Sequence, residues 1–363
     1  MCIVSYDNNS ILISSMTHAC RVHGGPDTFG VPVHDFSTNS NACGPCPQAL
    51  AAVNHCDVGR YPDPAYTALK RELAAFHGVE PARVLLAGSA SEFIFRMTAW
   101  AARQGVMTVR VPRHAYGDYA EAAHAWALRV TSIGPAGLHW YTDPSSPLGQ
   151  SALDSGVAHA TSLGGDTLVL DRAYEPLRLS GVCGWTPAQL AQVWQLWTPN
   201  KALGLTGVRG AYAIAPLGSN DAVAQLDRLC PSWPLGAHGV ALLNAWVQPS
   251  VQVWLAGSLD TLKLWKARQI AMLDGLGWAG LPSHANFLCA QPVSNDLEAD
   301  VRRLRRCGIK LRNAASFGML GHVRLAVLPP AAQDALQEAW PVSLGAALPR
   351  HPDAGLDHTR ALT

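Results

Sequence analysis

Two stretches, Leu168-Val-Leu-Asp171-Arg-Ala-Tyr174 and Thr198-Pro-Asn-Lys201-Ala-Leu-Gly-Leu-Thr-Gly-Val-Arg209, carry most of what this chain discloses about itself. The first is an apolar strand, Thr167 to Leu170, that runs into an acidic residue. In an open α/β sheet ligands bind at the C-terminal ends of the strands, so Asp171 is placed to meet one. The second puts a lysine after a threonine and a proline, with an arginine further along. A lone lysine is usually a solvated side chain. Carboxylate, amine and guanidinium in this order are far more specific together than singly.

The surrounding pattern repeats the same alternation. Leu69, Leu73 and Ala74 recur at helical spacing between Tyr66 and Phe76. Val84 to Leu86 predicts a strand, Ser91 to Arg103 a helix, Val106 to Val111 a strand, Tyr119 to Leu128 a helix and Val130 to Ile133 a strand. Short apolar strands alternating with helices indicate βαβ units and a mainly parallel sheet. Up to about Pro47 the chain is rich in Pro, Gly, Asn and Ser, which predicts an extended arm with turns. After about Gly236 come two long helical stretches, Val240 to Val253 and Leu259 to Leu276. A smaller α+β unit follows, with strands at Phe287 to Cys289 and at His322 to Val327.

A length of 363 residues fits about two domains at roughly 150 residues each. The expected division is an N-terminal arm (1–47) packing with the small domain and over the site, a large domain (48–245) and a small C-terminal domain (246–363). Lys+Arg 27 against Asp+Glu 26 gives a net charge of +1, which argues against a general nucleic-acid binder. Arg302, Arg303, Arg305 and Arg306 predict the wet face of a helix. No apolar run approaches the ~18 residues of a membrane span. Met1 to Ser15 lacks the basic region and cleavage site of a signal peptide, and Met16 is an alternative start. Nine cysteines, odd in number and scattered, do not form a secreted disulfide framework; a reduced, cytoplasmic protein is expected.

Taken together, the Asp171, Lys201 and Arg209 segments resemble the fold-type I enzymes that use pyridoxal 5′-phosphate, the class I/II (aspartate) aminotransferase superfamily. The resemblance runs from about His23 to Val327. It implies an α/β fold: a large domain with a mainly parallel seven-stranded sheet between helices, plus a smaller α+β C-terminal domain. It also implies roles. Lys201 bonds the coenzyme aldehyde, Asp171 pairs with its ring nitrogen, Tyr174 bonds its phenolic oxygen, and Thr198 and Arg209 hold its phosphate. The chemistry agrees with each. The ring withdraws electrons only while its nitrogen stays protonated, and a buried carboxylate favours that state. A phosphate takes a guanidinium fork and free backbone N–H groups. Ser89 and Glu92 in Ala87-Gly88-Ser89-Ala90-Ser91-Glu92 have capping-box spacing, which opens a helix N-terminus to an anion. Ser89, Ala90 and Ser91 are therefore expected at the phosphate.

Further features extend the resemblance. Arg60-Tyr61-Pro-Asp-Pro resembles the segment whose tyrosine crosses a dimer to the neighbouring coenzyme, which implies a homodimer with shared active sites. Tyr116, in His114-Ala-Tyr116-Gly-Asp-Tyr119, resembles the aromatic that stacks on the ring, with Tyr119 as its rival. Arg324, in Phe317-Gly-Met-Leu-Gly-His-Val-Arg324, holds the position that binds a substrate α-carboxylate. Two departures stand out. Ser146, in Asp143-Pro-Ser-Ser146-Pro-Leu-Gly149, occupies the place of an asparagine that bonds the ring oxygen, and Ala87 and Ser89 replace glycines.

His23-Gly-Gly25, Asp35-Phe-Ser-Thr-Asn39-Ser-Asn41 and Gly44-Pro resemble the start of the threonine-phosphate decarboxylases of cobalamin biosynthesis, a branch close to histidinol-phosphate aminotransferase. On that resemblance His23 and Asn39 lie in an arm over the site and either touch a substrate, a phosphorylated amino acid or amine, or brace the arm. The two reactions differ in which bond of the substrate's reacting carbon stands perpendicular to the ring. Decarboxylation is expected from the arm, with transamination as the alternative. A pyridoxal-phosphate-binding protein without catalysis is left open by Ser146. From another class, Cys43-Gly-Pro-Cys46 has the spacing of a thiol–disulfide pair or half a zinc site, although it follows no strand and lacks a second ligand cluster. Gly204, Gly207 and Gly210 lack the Gly-x-Gly start of a dinucleotide loop.

Overall fold

The computed structural model describes residues 23–151 and 165–340. The choice between Met1 and Met16, and the outer ends of the arm and of the C-terminal domain, lie outside the described residues. The arm carries a short strand, β1 (His34–Asp35), and leads into α1 (Pro47–Asn54) and α2 (Thr67–His77). Then come β2 (Val84–Ala87), α3 (Ala90–Arg103), β3 (Thr108–Arg110), α4 (Gly117–Ala125), β4 (Arg129–Thr131), β5 (Leu138–Thr142) and β6 (Thr167–Asp171). They are followed by α5 (Pro187–Leu190), β7 (Trp194–Trp197), β8 (Ala211–Ile214), α6 (Asn220–Arg228), α7 (Ala237–Trp246) and α8 (Pro249–Gly275). The chain continues through β9 (Ala279–Gly280), β10 (Phe287–Gln291), α9 (Leu297–Arg306), β11 (Ile309–Lys310), β12 (Arg312–Asn313), β13 (Val323–Ala326) and α10 (Pro330–Ala339).

Seven strands form one sheet in the order β2-β8-β7-β6-β5-β3-β4. Only β8 runs against its neighbours β2 and β7; the other pairs are parallel. Alternate side chains of these strands feed two separate cores, as the pleat requires. Leu86, Trp197, Tyr212 and Ile214 pack on one face with α1, α2 and α7. Leu85, Val169, Leu196 and Ala213 pack on the other with α3 and α4. With both faces covered, β2, β7 and β8 are buried at every position, and β2 and β8 read as unbroken apolar runs.

A four-stranded antiparallel sheet, β12-β13-β10-β9, closes a third core with α9, α10 and Phe36 of the arm. The arm is tied to this unit by the parallel pair β1–β11. Asp27 accepts from Arg305 at 2.7 Å and lies 3.0 Å from Lys310. This corrects one expectation: Arg305 is buried, whereas Arg302 and Arg306 are exposed, because the arm crosses that face of α9. Among the described residues no helix is long and apolar enough to cross a membrane.

One further expectation is corrected. The helical break falls between Trp246 and Pro249, not between Val253 and Leu259. Pro249 sits in the first turn of α8, where its missing N–H costs nothing, while Gly257 meets no neighbour inside the helix and does not end it. α1 begins at Pro47, where the arm was expected to end, with Cys46 as its N-cap, so the cysteine pair directly precedes a helix. Strands β5, β7 and β8 were not anticipated; β5 and β7 are rich in tryptophan and tyrosine, and β8 is only four residues long.

The helix-covered core holds a titratable group. Trp246 Nε1 donates to the Tyr212 hydroxyl at 3.1 Å, and an indole N–H only donates. The hydroxyl proton is left for His77 Nε2, 2.7 Å away, which accepts it only while unprotonated. Burial, helped by Arg172, lowers the His77 pKa to about 4. An unfolded histidine binds its proton near pH 6.5, so this stabilisation is complete above that pH and is lost as pH falls toward 4. The urea midpoint is expected to drop between pH 7.5 and 4.5 by an amount on the order of 2 kcal/mol from this group; His77→Gln should flatten that part of the profile.

Candidate active site

A cavity of about 580 Å³ opens at the C-terminal ends of β6 and β7, between the large sheet, the arm and the four-stranded sheet. Every expected site residue except Tyr61 lines it: Asp171, Tyr174, Thr198, Lys201 and Arg209; Ser89, Ala90, Ser91 and Tyr116; and Arg324, His23 and Asn39. Tyr61 is 79% exposed and stacks on Trp233, away from this cavity.

Asp171, the last residue of β6, is buried. Its Oδ2 accepts from the Tyr119 hydroxyl at 2.6 Å and its Oδ1 from the Ala173 N–H at 2.8 Å. Burial raises its pKa, while those two donors and the charge of Lys201 pull it back. Tyr119 is itself buried and stacked on Trp140 at 4.7 Å; burial and Asp171 push its pKa well up, so it stays a neutral donor. The two tyrosines expected as rivals therefore separate. Tyr119 lies beneath and holds the carboxylate. Tyr116 stands edge-on to it at 6.0 Å, with its hydroxyl 3.1 Å from Ser91 Oγ. The role of Tyr119 on Asp171 escaped the sequence, since nothing in the spacing of Tyr119 and Asp171 signals contact.

Lys201 stands in the link between β7 and β8, its Nζ 5.4 Å from the centre of the Tyr174 ring. That link is held locally: Thr198 Oγ1 donates to Asn200 Oδ1 at 2.9 Å, and the Leu203 N–H to the Pro199 carbonyl at 3.0 Å. The arm braces it from outside, with the Asn41 N–H donating to the Lys201 carbonyl at 2.9 Å. Gly204 has φ +68°, and a Cβ there would lie 2.4 Å from the Gly44 carbonyl oxygen, so only glycine allows the approach.

Across the cavity, Ser89 caps α3 and its Oγ accepts from the Glu92 N–H at 3.0 Å. The capping box is half made: Glu92 reaches back to the Gly88 N–H, at 3.1 Å, and to Arg96. As first-turn groups the Ala90 and Ser91 N–H have no carbonyl partner within the helix, and both residues line the cavity. Arg209 and Thr198 also line it.

The remaining wall comes from the arm and the four-stranded sheet. Arg324 on β13 donates to the Ser37 carbonyl at 2.9 Å and to Ser146 Oγ at 3.3 Å. Ser146 thus faces the arginine. Arg312, opposite Arg324 in the β12–β13 register, donates to Ser316 Oγ at 2.7 Å. Both guanidinium groups lie over the Phe317 ring, at 4.8 and 5.4 Å. Burial, and then the charge of Arg324, lower the Arg312 pKa to about 10. Arg312 is a second miss: it stands twelve residues before Arg324 in the sequence, and only the antiparallel β12–β13 register brings the two together.

Thr38 Oγ1, Asn39 Oδ1 and Arg324 Nε are buried here without a partner. Such atoms are costly unless a ligand satisfies them. A coenzyme with an aldehyde, a basic ring nitrogen and a phosphate finds an amine, a buried carboxylate, a helix N-terminus and an arginine lining one cavity, so the residues fit pyridoxal phosphate. Among the described residues no cluster of metal-ligating side chains occurs.

Removing the Tyr119 hydroxyl leaves a buried carboxylate with one donor fewer. Tyr119→Phe is expected to cost about 1–3 kcal/mol, read as a lower urea midpoint, whereas Tyr116→Phe should leave stability nearly unchanged.

Comparison with known proteins agrees with this geometry. Residues 188–339 match the family model of the class I and II aminotransferases. A histidinol-phosphate aminotransferase of Burkholderia mallei is 25% identical over 325 residues, spanning 84% of this chain and 90% of its own. One from Caulobacter vibrioides is 28% identical over 344 residues, spanning 85% and 86%. Among solved structures, histidinol-phosphate aminotransferase from Sinorhizobium meliloti in complex with pyridoxal-5′-phosphate has a TM-score of 0.74 at 21% identity, covering 92% of this chain and 97% of that one. L-threonine-O-3-phosphate decarboxylase from Porphyromonas gingivalis has a TM-score of 0.69 at 18% identity, covering 84% and 97%. Together these findings support a pyridoxal-5′-phosphate-dependent enzyme of the class I/II aminotransferase superfamily.

Proposed function

We propose that this enzyme acts on a small amino acid that carries a phosphate monoester, and that it releases the carboxylate as CO2. The observation behind this is the pair Arg312 and Arg324, two buried guanidinium groups on one wall. Burial loosens the hold of both on their protons, and the charge of Arg324 loosens that of Arg312 further, so bound anions relieve the pair. Arg324 takes the α-carboxylate in a two-pronged bond, and Arg312 with Ser316 takes the phosphate.

Bound pyridoxal phosphate supplies an electron-accepting ring system next to the substrate's reacting carbon. Asp171, an anion fixed by two donors, keeps a proton on the ring nitrogen. Lys201 Nζ holds the coenzyme between turnovers and afterwards delivers a proton to the reacting carbon. Tyr116 covers one side of the cavity. The arm, with Gly24, Ser37 and Thr38 in its wall, keeps water from the reacting carbon. The division into arm (1–47), large domain (48–245) and small domain (246–363) belongs to this proposal. So does a cytoplasmic homodimer in which the exposed Tyr61 reaches the partner's site.

Transamination of a histidinol-phosphate-like amine is the second reading, supported by the names of the curated relatives. In it both arginines face the phosphate, and Lys201 moves the proton of the reacting carbon. The thiol reading has little support. Burial raises the Cys43 pKa, Cys46 is buried, and thiolates are the reactive form.

Incubation with O-phosphothreonine should release CO2, and incubation with histidinol phosphate plus 2-oxoglutarate should give little keto product. The reverse pattern moves the assignment to transamination. Turnover of neither, by a coloured and borohydride-reducible protein, rejects both substrates. Lys201→Ala is expected to be colourless and inactive, and a reducible band in that variant would sink the lysine assignment. Arg312→Ala should raise KM for a phosphorylated substrate about 10- to 100-fold, with a smaller change in kcat.

A further inference from the structure

We propose that Asn39 is a second hydrogen-bond donor to the coenzyme's phenolic oxygen, beside Tyr174, in place of the amide that Ser146 lacks. The proposal rests on the reading that Tyr174 and Lys201 face the coenzyme. Asn39 is 3% exposed and lines the cavity. Its Nδ2 points at the Tyr174 hydroxyl, 3.5 Å away, and its Oδ1 is buried with no partner. A contact of that length is worth little by itself, so the amide is desolvated without adequate return. It is the weakly engaged Nδ2 donor, not the acceptor Oδ1, that an oxygen of the ligand would complete.

The polarity of the contact points the same way. An amide nitrogen donates, so the Tyr174 oxygen accepts from Asn39, and the tyrosine's own proton is left to be given into the cavity. The second hydrogen on Nδ2 is available to the same acceptor. Two donors then converge from Asn39 and Tyr174. Ser146 offers only a short hydroxyl, which lies toward Arg324 and accepts from it at 3.3 Å.

Asn39 is also held where such a donor must be. One residue on, the Ser40 carbonyl accepts from Asn286 Nδ2 at 2.9 Å. Asn41 donates its N–H to the Lys201 carbonyl at 2.9 Å, and its Nδ2 to the Ala202 carbonyl at 3.0 Å and to Ser258 Oγ at 2.8 Å. The arm is thereby fastened to the backbone of the very residue that carries the coenzyme, so Asn39 keeps its place beside the ring rather than following a loose segment.

Hydrogen bonds to an anionic oxygen favour its charged form and so lower the pH at which the bound coenzyme loses its proton. The test is a pH titration of the visible absorbance band of the holoenzyme, with no substrate present. Asn39→Ala, and the bulkier Asn39→Leu as the volume-keeping variant, should raise the midpoint by about one pH unit and speed coenzyme release severalfold. Ser146→Asn added to Asn39→Ala should bring the midpoint back toward that of the unaltered protein. Asn41→Ala is the control for arm packing, since it loosens the arm and leaves the amide of residue 39 in place. A midpoint unmoved in both Asn39 variants overturns the proposal, as does an equal shift in Asn41→Ala. If the unaltered protein shows no visible band and no borohydride-reducible bond at Lys201, the reading of the cavity fails first and the proposal falls with it.

Discussion

A carboxylate buried at the end of a central strand is the constraint around which the rest is arranged. Asp171 is out of water, and it is tolerable there only because both oxygens accept hydrogen bonds and an amine lies close by. Meeting those needs dictates much of the neighbourhood. Tyr119 must be buried to reach Oδ2, and its ring must be packed, which Trp140 of β5 accomplishes. Lys201 must follow the adjacent strand, and the parallel β6–β7 register supplies it, with the Arg172 N–H bonded to the Leu196 carbonyl. Amine and carboxylate meet because two neighbouring strands end at the same edge.

The opposite wall is assembled from the two ends of the described chain. The Phe36 carbonyl accepts from the Ala326 N–H, the Ser37 carbonyl from Arg324, and β1 lies along β11. A Cβ on Gly24 would sit 2.2 Å from the Ser37 carbonyl oxygen, so the arm doubles back on itself only with glycine there. The ion pairs of Asp27 with Arg305 and Lys310 hold this doubled segment against the C-terminal unit. Arg324 and the packing of the arm are therefore one structure. Whatever displaces the arm also disturbs Arg324.

The cysteine pair finds its explanation in packing. The Cys46 N–H donates to the Leu203 carbonyl, Gly44 lies against Gly204, and Cys43 Sγ contacts the Ser258 carbonyl. This places Cys43-Gly-Pro-Cys46 directly behind the Lys201 link. Its glycine and buried thiol permit a close approach of two backbones, which explains the spacing without redox chemistry.

Local pattern sufficed for the alternation of strands and helices, for the acidic strand end at Asp171, for the lysine link, and for the cap at Ser89. These depend on residues near one another in the chain, where periodicity and capping chemistry act directly. The short aromatic strands β5 and β7 were hidden, because buried tryptophans follow no polar alternation. Three matters were settled only when distant segments packed. The Tyr119 hydroxyl found Asp171, Arg312 came into register with Arg324, and Asn39 came to lie against Tyr174. In each pair the partners belong to different elements of the fold, and no rule of local spacing encodes the direction in which a side chain points once two such elements meet.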